Sequence, residues 1–94
     1  MSAAGARHMG RVARLGCVVC RNLGHGESPA EVHHIREGQG LSQRASDYLV
    51  CPLCPIHHRL GGIGVAFHAG QESFERMYGS ELELLAQTIK DLSA

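Results

Sequence analysis

The sequence predicts one small α+β domain in which a two-stranded hairpin lies between flanking helices. Two stretches of strand character, Glu31–Arg36 and Tyr48–Cys51, are separated by a glycine-rich polar loop that ends near Ser46. Apolar residues recur at helical spacing near both ends of the chain. A domain of 94 residues is only marginally stable through apolar burial, and metals or disulfides commonly add to its stability.

Helices are predicted on both sides of the hairpin. The first covers residues 3–15 and ends at Gly16. Two more cover about 71–92, with Gly79 between them and a capping box over Ser80–Glu83. The apolar faces expected to pack on the core are Phe74, Met77 and Tyr78 in the first of these two, and Leu82, Leu85, Ala86, Ile89 and Leu92 in the second.

The N-terminal residues favour a cytoplasmic protein without a membrane partner. Met1–His8 is small and basic and lacks the apolar core of a signal peptide, and no segment approaches transmembrane length. Thiols stay reduced in such a compartment, so a Cys-x-x-Cys pair indicates a metal site rather than a disulfide.

The formal net charge is zero, but the charge is unevenly distributed. Seven arginines and four carboxylates lie in the stretch up to Arg59, whereas two basic and five acidic residues follow it. The positive half contains the paired histidines, and arginine is the cation that best matches phosphate geometry. This distribution gives weak support to a nucleic-acid partner.

The cysteines predict a structural zinc site. Thiolates suit a closed zinc site, which assigns Cys17, Cys20 and Cys54 to one ion. The fourth ligand is Cys51 or His57. Cys51 completes a second Cys-x-x-Cys pair, and Cys54-x-x-His57 is an equally good spacing, while a buried free cysteine in an apolar strand is ordinary.

The two histidine pairs suggest a reaction. Neighbouring side chains on a strand point to opposite faces, so His33 and His34 can serve different purposes. His33 and His58 can hold one divalent ion with open positions, His34 can act as a general base, and Arg59 can bind a phosphate. The competing interpretation is that all the histidines belong to structural zinc sites.

Five short motifs follow one another along the chain: Gly16–Cys20, Glu31–Arg36, Pro52–Arg59, Phe74–Gly79 and Glu83–Ala86. The series Cys-x-x-Cys, His-His-Ile and Leu-Cys-x-x-His-His-Arg resembles the HNH endonuclease family, whose ββα-metal finger is two strands and a helix around one catalytic ion. More narrowly, the set resembles the nuclease domain of the phage recombination-enhancement, RecA-dependent nucleases. The resemblance covers nearly the whole chain.

The resemblance implies a role for each ligand. It assigns His33 to the catalytic metal and makes His34 the general base. It gives Cys54 and His57 to the structural zinc, together with the first cysteine pair, and it gives His58 to the catalytic ion.

The resemblance also decides between the two fourth ligands, favouring His57 and leaving Cys51 at a position that the family usually fills with an apolar residue. The middle asparagine of the HNH pattern is absent. Asp47 resembles the aspartate that some relatives carry, and its implied role is to brace the loop and orient the His34 ring. Many relatives have a further histidine after His-His-Arg, so His68 is a candidate third ligand of the catalytic metal.

The expected function is metal-dependent hydrolysis of DNA phosphodiester bonds by a phage or prophage HNH endonuclease in the bacterial cytoplasm. The expected domain spans residues 1–94, with its core over 16–68. The expected cofactors are a structural Zn²⁺ and a catalytic Mg²⁺, Mn²⁺, Ni²⁺ or Zn²⁺. DNA is the expected partner, and a RecA-type filament is a candidate partner. The alternative is a zinc-stabilised nucleic-acid- or protein-binding module without hydrolytic activity.

Overall fold

A computed structural model describes residues 2–40 and 45–94 of the chain. These residues form an α+β structure with a two-stranded sheet, as predicted. Residues 41–44, in the loop predicted between the strands, lie outside the described residues. The elements in chain order are helices α1 (Ala3–Arg14) and α2 (Val18–Asn22), strands β1 (Glu31–His34) and β2 (Val50–Leu53), a π-helical turn (Ile56–Leu60), a 3-10 turn (Phe67–Ala69), and helices α3 (Gln71–Tyr78) and α4 (Glu81–Leu92).

The strands β1 and β2 pair antiparallel, with His33 opposite Cys51 and His34 opposite Val50. Strand β2 begins two residues later than predicted and includes Pro52, which was expected to end it. Both strands of a two-stranded sheet are edges, so a residue without an N–H group fits there. His33 is buried and His34 is only partly buried. The hairpin therefore directs the first ring inward and the second toward the surface.

Helix α1 packs across both strands of the hairpin. The Ser2 hydroxyl accepts a hydrogen bond from the Gly5 N–H at 2.9 Å, which caps the helix start. Val12 is fully buried against the rest of the protein. The helix ends one residue before its predicted limit, and Gly16 follows with a φ of 78°.

The Cys17–Cys20 segment opens helix α2, with Cys17 at its N-cap position. The Cys17 sulfur accepts a hydrogen bond from the Cys20 N–H at 3.4 Å, and the Cys17 carbonyl accepts one from the Arg21 N–H at 3.1 Å. Cysteine thus takes the capping position that a serine or aspartate usually occupies. Both sulfurs lie at the N-terminal end of α2 as a result.

The main core lies between α2, β2, α3 and α4. Val19, Leu53 and Phe74 are each at most 1% exposed, and Leu84 adds to the same cluster. Cys17, Cys20 and Cys54 of the predicted zinc site also line this core. The candidate zinc ligands and the apolar residues therefore share one interior.

The buried face of α4 differs from the predicted apolar stripe. The capping box between Ser80 and Glu83 is confirmed. However, Leu82 and Ile89, which were predicted to be buried, are 50% and 51% exposed. Met77 of α3 was also predicted to be buried and is 65% exposed. The face turned inward consists of Glu81, Leu84, Leu85 and Thr88.

The longest helices in the described part of the chain have 12 residues. None of the described helices is long and apolar enough to cross a membrane.

Candidate metal centres and active site

Three cysteines and one histidine converge at one point of the described structure, which we name the cysteine centre: Cys17, Cys20, Cys54 and His57. The His57 Nδ1 atom lies 3.7, 3.5 and 3.3 Å from the sulfurs of Cys17, Cys20 and Cys54 respectively. The Cys20 and Cys54 sulfurs are 3.8 Å apart. All four side chains are buried.

These separations fit one tetrahedral zinc ion. With Zn–S bonds of about 2.3 Å and a Zn–N bond of about 2.0 Å, tetrahedral geometry separates two sulfurs by about 3.8 Å and a sulfur from a nitrogen by about 3.5 Å. The observed distances of 3.8 Å and 3.3–3.7 Å agree with both values. Four buried soft donors with no open position are typical of a structural site.

The thiols of the cysteine centre are in unequal environments. Burial raises the pKa of Cys17 to about 11. Burial also acts to raise the pKa of Cys54, but hydrogen bonds from the His57 and Ile56 N–H groups and from neighbouring thiols outweigh it, so the net shift is downward. A bound cation would supply the charge that favours all three thiolates.

Cys51 is not among the residues that form the cysteine centre. It is 1% exposed and belongs to the apolar core cluster. Burial raises the pKa of its thiol to about 12, which keeps it protonated. These properties are those of a core cysteine.

Three histidines form a second group, which we name the histidine centre: His33, His58 and His68. One ring nitrogen from each lies within 4.8 Å of the others. The Nε2 atoms of His58 and His68 are 3.1 Å apart. Two nitrogens bound to one metal at about 2.1 Å lie about 3.0–3.4 Å apart for bond angles between 90° and 110°, so this separation also fits a shared ion.

Exposure distinguishes the members of the histidine centre. His33 is buried, His58 is partly buried and His68 is exposed. Burial is the main factor that lowers the pKa of both His58 and His68, and in His68 the nearby His58 and Arg36 lower it further. Neutral imidazole is the form that binds a metal.

Two carboxylates fix the orientation of the buried His33 ring and the partly buried His58 ring. His33 Nε2 donates to Glu81 Oε2 at 2.6 Å, and His58 Nδ1 donates to Glu31 Oε1 at 2.9 Å. Each contact leaves the other nitrogen of the ring, Nδ1 of His33 and Nε2 of His58, to accept a proton or a metal. Such carboxylate contacts commonly orient histidines that bind metals.

Glu81 is a buried carboxylate, 1% exposed, at the start of α4. Besides His33, it accepts hydrogen bonds from the Arg36 N–H at 2.8 Å and the Glu37 N–H at 2.9 Å. Burial acts to raise the pKa of Glu81, but these three donors outweigh it and the net shift is downward. Because Glu81 must face β1 to satisfy these donors, it rotates α4 away from the predicted apolar stripe.

His34 lies on the other side of β1 and contacts Asp47. His34 Nε2 donates to Asp47 Oδ1 at 2.9 Å, and the two side chains are 17% and 16% exposed. Asp47 packs against Gly5 of α1, where an added Cβ would lie 3.0 Å from Asp47 Oδ2. Asp47 therefore contacts helix α1 on one side and His34 on the other. Nδ1 of His34 is the nitrogen left to accept a proton.

Arg59 forms a two-pronged ion pair with Glu31. Its Nε lies 3.0 Å from Glu31 Oε1, and its NH2 group lies 2.6 Å from Glu31 Oε2. Arg59 and His58 together lower the pKa of Glu31 to about 2. Glu31 thus serves a ring of the histidine centre and the arginine next to it at the same time.

Sequence reasoning did not identify Glu31 and Glu81 as part of the site. The sequence marks Glu31 only as the start of a strand and Glu81 only as a residue within a capping box. An acidic residue is ordinary at both positions, so neither carried a local signal. Only the tertiary contacts with His33 and His58 distinguish them.

Comparison with known proteins identifies the family. The family model for recombination enhancement, RecA-dependent nucleases matches residues 2–93. The chain belongs to this family. As a RecA-dependent nuclease by family, it is an enzyme whose substrate is nucleic acid. A search of curated proteins found no match.

Proposed function

We propose that this family member is an HNH-type, metal-dependent endonuclease that hydrolyses DNA phosphodiester bonds. The observation that carries the proposal is the histidine centre, with two of its rings oriented by carboxylates and one ring exposed. The order of strand, strand and helical turn around these ligands agrees with a ββα-metal finger. A centre that is exposed on one side can accept a substrate, as catalytic metal sites require.

A divalent ion held by His33, His58 and His68 would supply Lewis-acid stabilisation of charge on the phosphate. Mg²⁺, Mn²⁺, Ni²⁺ and Zn²⁺ are the candidate ions. The all-nitrogen set of ligands suits the later transition metals better than Mg²⁺, which prefers oxygen.

His34 is the proposed general base. Its Nε2–H is held by Asp47, so the ring presents an unprotonated Nδ1 that can take a proton from the attacking water. Asp47 acts by fixing the tautomer and stabilising the ring once it is protonated. Arg59 lies next to His58 in the chain, and Glu31 holds both side chains in place.

The cysteine centre is proposed to bind the structural zinc. Its ion would connect the start of α2 to the π-helical turn, and so hold His58 beside the hairpin. We further propose that residues 1–94 form one nuclease domain, with core 16–68, that the protein is encoded by a phage or prophage, and that it acts in the bacterial cytoplasm with a RecA-type filament as partner.

Plasmid cleavage tests the proposal. Supercoiled DNA is incubated with the protein and each candidate metal, with and without a RecA-type filament, beside the variant His34→Ala. We expect nicking or linearisation by the natural sequence and a loss of about 10²–10⁴-fold in rate for the variant, because general base catalysis has that magnitude.

The matched control is His25→Ala, which removes an exposed loop histidine outside both centres. Absence of cleavage in every metal, with and without the filament, would leave the zinc-stabilised binding module as the better explanation. Equal rates for His34→Ala and the natural sequence would remove His34 as the base.

A further inference from the structure

We propose that Arg36, which lies beside the histidine centre, binds the DNA phosphate, while Arg59 stays bound to Glu31. This inference rests on the proposed function, since it names the contact by which that site holds its substrate. The first observation is the position of the Arg36 backbone. Its N–H donates to Glu81 Oε2, the same oxygen that accepts from His33 Nε2.

That shared oxygen attaches Arg36 to the centre without using its side chain. The segment just after it is held as well, because the Glu37 N–H donates to the other oxygen of Glu81 and the Gln39 N–H donates to the Arg36 carbonyl. The base of the Arg36 side chain is therefore fixed beside His33. An arginine on a fixed backbone loses less conformational freedom when it binds a phosphate.

The Arg36 guanidinium is exposed and has no ion pair within residues 2–40 and 45–94. Its backbone is held by Glu81, the carboxylate that also contacts His33, so this exposed charge lies at the edge of the histidine centre. A guanidinium can offer two parallel N–H donors to phosphate oxygens.

Arg59 is the less suitable of the two arginines. Two of its three nitrogen donor groups, Nε and NH2, are already bound to the Glu31 carboxylate. The pair is neutral as a unit, and releasing Arg59 to a phosphate would leave the Glu31 charge beside an anionic substrate. Arg36 has no such partner among the described residues, so it supplies the uncompensated positive charge that a phosphate needs.

DNA binding without cleavage tests the assignment. Fluorescence anisotropy is measured on the His34→Ala protein with a labelled duplex, and with a RecA-type filament assembled on DNA, over a range of salt concentrations. We expect Arg36→Gln to weaken binding about tenfold for whichever of the two probes, the duplex or the filament, the parent protein binds. The slope of log K against log salt should fall by about 1, because one phosphate contact is lost.

Arg36→Lys keeps the charge but loses the paired donors, so it should recover the salt slope and only part of the affinity. Arg59→Gln should weaken binding less than Arg36→Gln does, and its effect should come from the uncovered Glu31 charge rather than from a lost phosphate contact. The matched control is Arg76→Gln, since Arg76 is also exposed and, among the residues that the structure describes, forms its ion pair with Glu72 on α3. Thermal melting should not change for Arg36→Gln, because only the backbone of Arg36 contacts Glu81.

The inference is overturned if Arg36→Gln binds both substrates within twofold of the parent protein, or if Arg59→Gln has the larger effect. It is also overturned if the parent protein binds neither substrate better than Arg36→Gln does. These readouts need no catalysis, so they are distinct from the cleavage assay. Failure of the proposed function would appear as absent cleavage with DNA binding still dependent on Arg36.

Discussion

The cysteine centre and the histidine centre take the neighbouring residues His57 and His58, but the two centres differ in exposure and in the groups that surround them. In the cysteine centre no ligand is more than 7% exposed. In the histidine centre, exposure rises from the buried His33 to the exposed His68. The first arrangement would enclose an ion and the second would leave one side open, which is the general difference between structural and catalytic metal sites.

The two centres also differ in what orients their ligands. Backbone N–H groups of the α2 start and the π-helical turn contact the sulfurs of Cys17 and Cys54. Two carboxylates contact the rings of His33 and His58. A sulfur needs no tautomer, whereas an imidazole must have its proton on the nitrogen that faces away from the metal. The acidic residues therefore belong with the histidines.

The largest expected effect is on the cysteine centre. Cys17→Ser should abolish zinc binding and most of the folded structure, because binding of a structural zinc contributes on the order of 10 kcal/mol to folding. Circular dichroism and metal analysis of the purified protein measure both losses.

The matched control for this change is Cys51→Ser, which alters a buried cysteine outside the centre and should retain one zinc per chain. Release of zinc by Cys51→Ser together with its retention by His57→Ala would reverse the choice of fourth ligand.

An intermediate effect is expected at the contact between α4 and the histidine centre. Glu81→Ala should lower the free energy of unfolding by about 3–5 kcal/mol, because His33 and two backbone N–H groups would lose a buried charged partner. Denaturant unfolding at neutral pH measures the change. Glu83→Ala is the control, since Glu83 is an exposed carboxylate of the same helix and its loss should lower stability much less, through the capping box alone. Equal losses for both variants would show that Glu81 has no special role.

The smallest effect on stability is expected at the open side of the histidine centre. His68→Ala should change the free energy of unfolding by no more than about 0.5 kcal/mol, because His68 is exposed. The same variant should bind added Mn²⁺ or Ni²⁺ at least tenfold more weakly, as one of three nitrogens is removed. Thermal melting and calorimetric titration separate the two quantities. A large loss of stability with unchanged metal binding would make His68 a structural residue.

Local patterns were sufficient for the elements whose ends are encoded nearby. Gly16 follows α1, Gly79 separates the last two helices, and the Ser80–Glu83 capping box opens α4. These signals act through one or two turns of backbone, so the sequence contains all the information that they need. The extra residues of β2 were not predicted, because they pair with β1, which is distant in sequence. The helical start at Cys17 was not predicted, because cysteine is an unusual capping residue.

By itself, the sequence determined the types of candidate ligand, their pairing along the chain and the separation of His33 from His34 by strand geometry. The tertiary structure alone decided which carboxylates join the histidines. Glu31 and Glu81 are 27 and 48 residues from the rings that they contact, and burial of an acidic side chain at the start of α4 requires donors that only β1 and the segment after it provide. An apolar pattern predicts a buried face by hydrophobicity, whereas a buried charge is placed by its hydrogen-bond partners. For this reason α4 turned Glu81 inward and left Leu82 exposed.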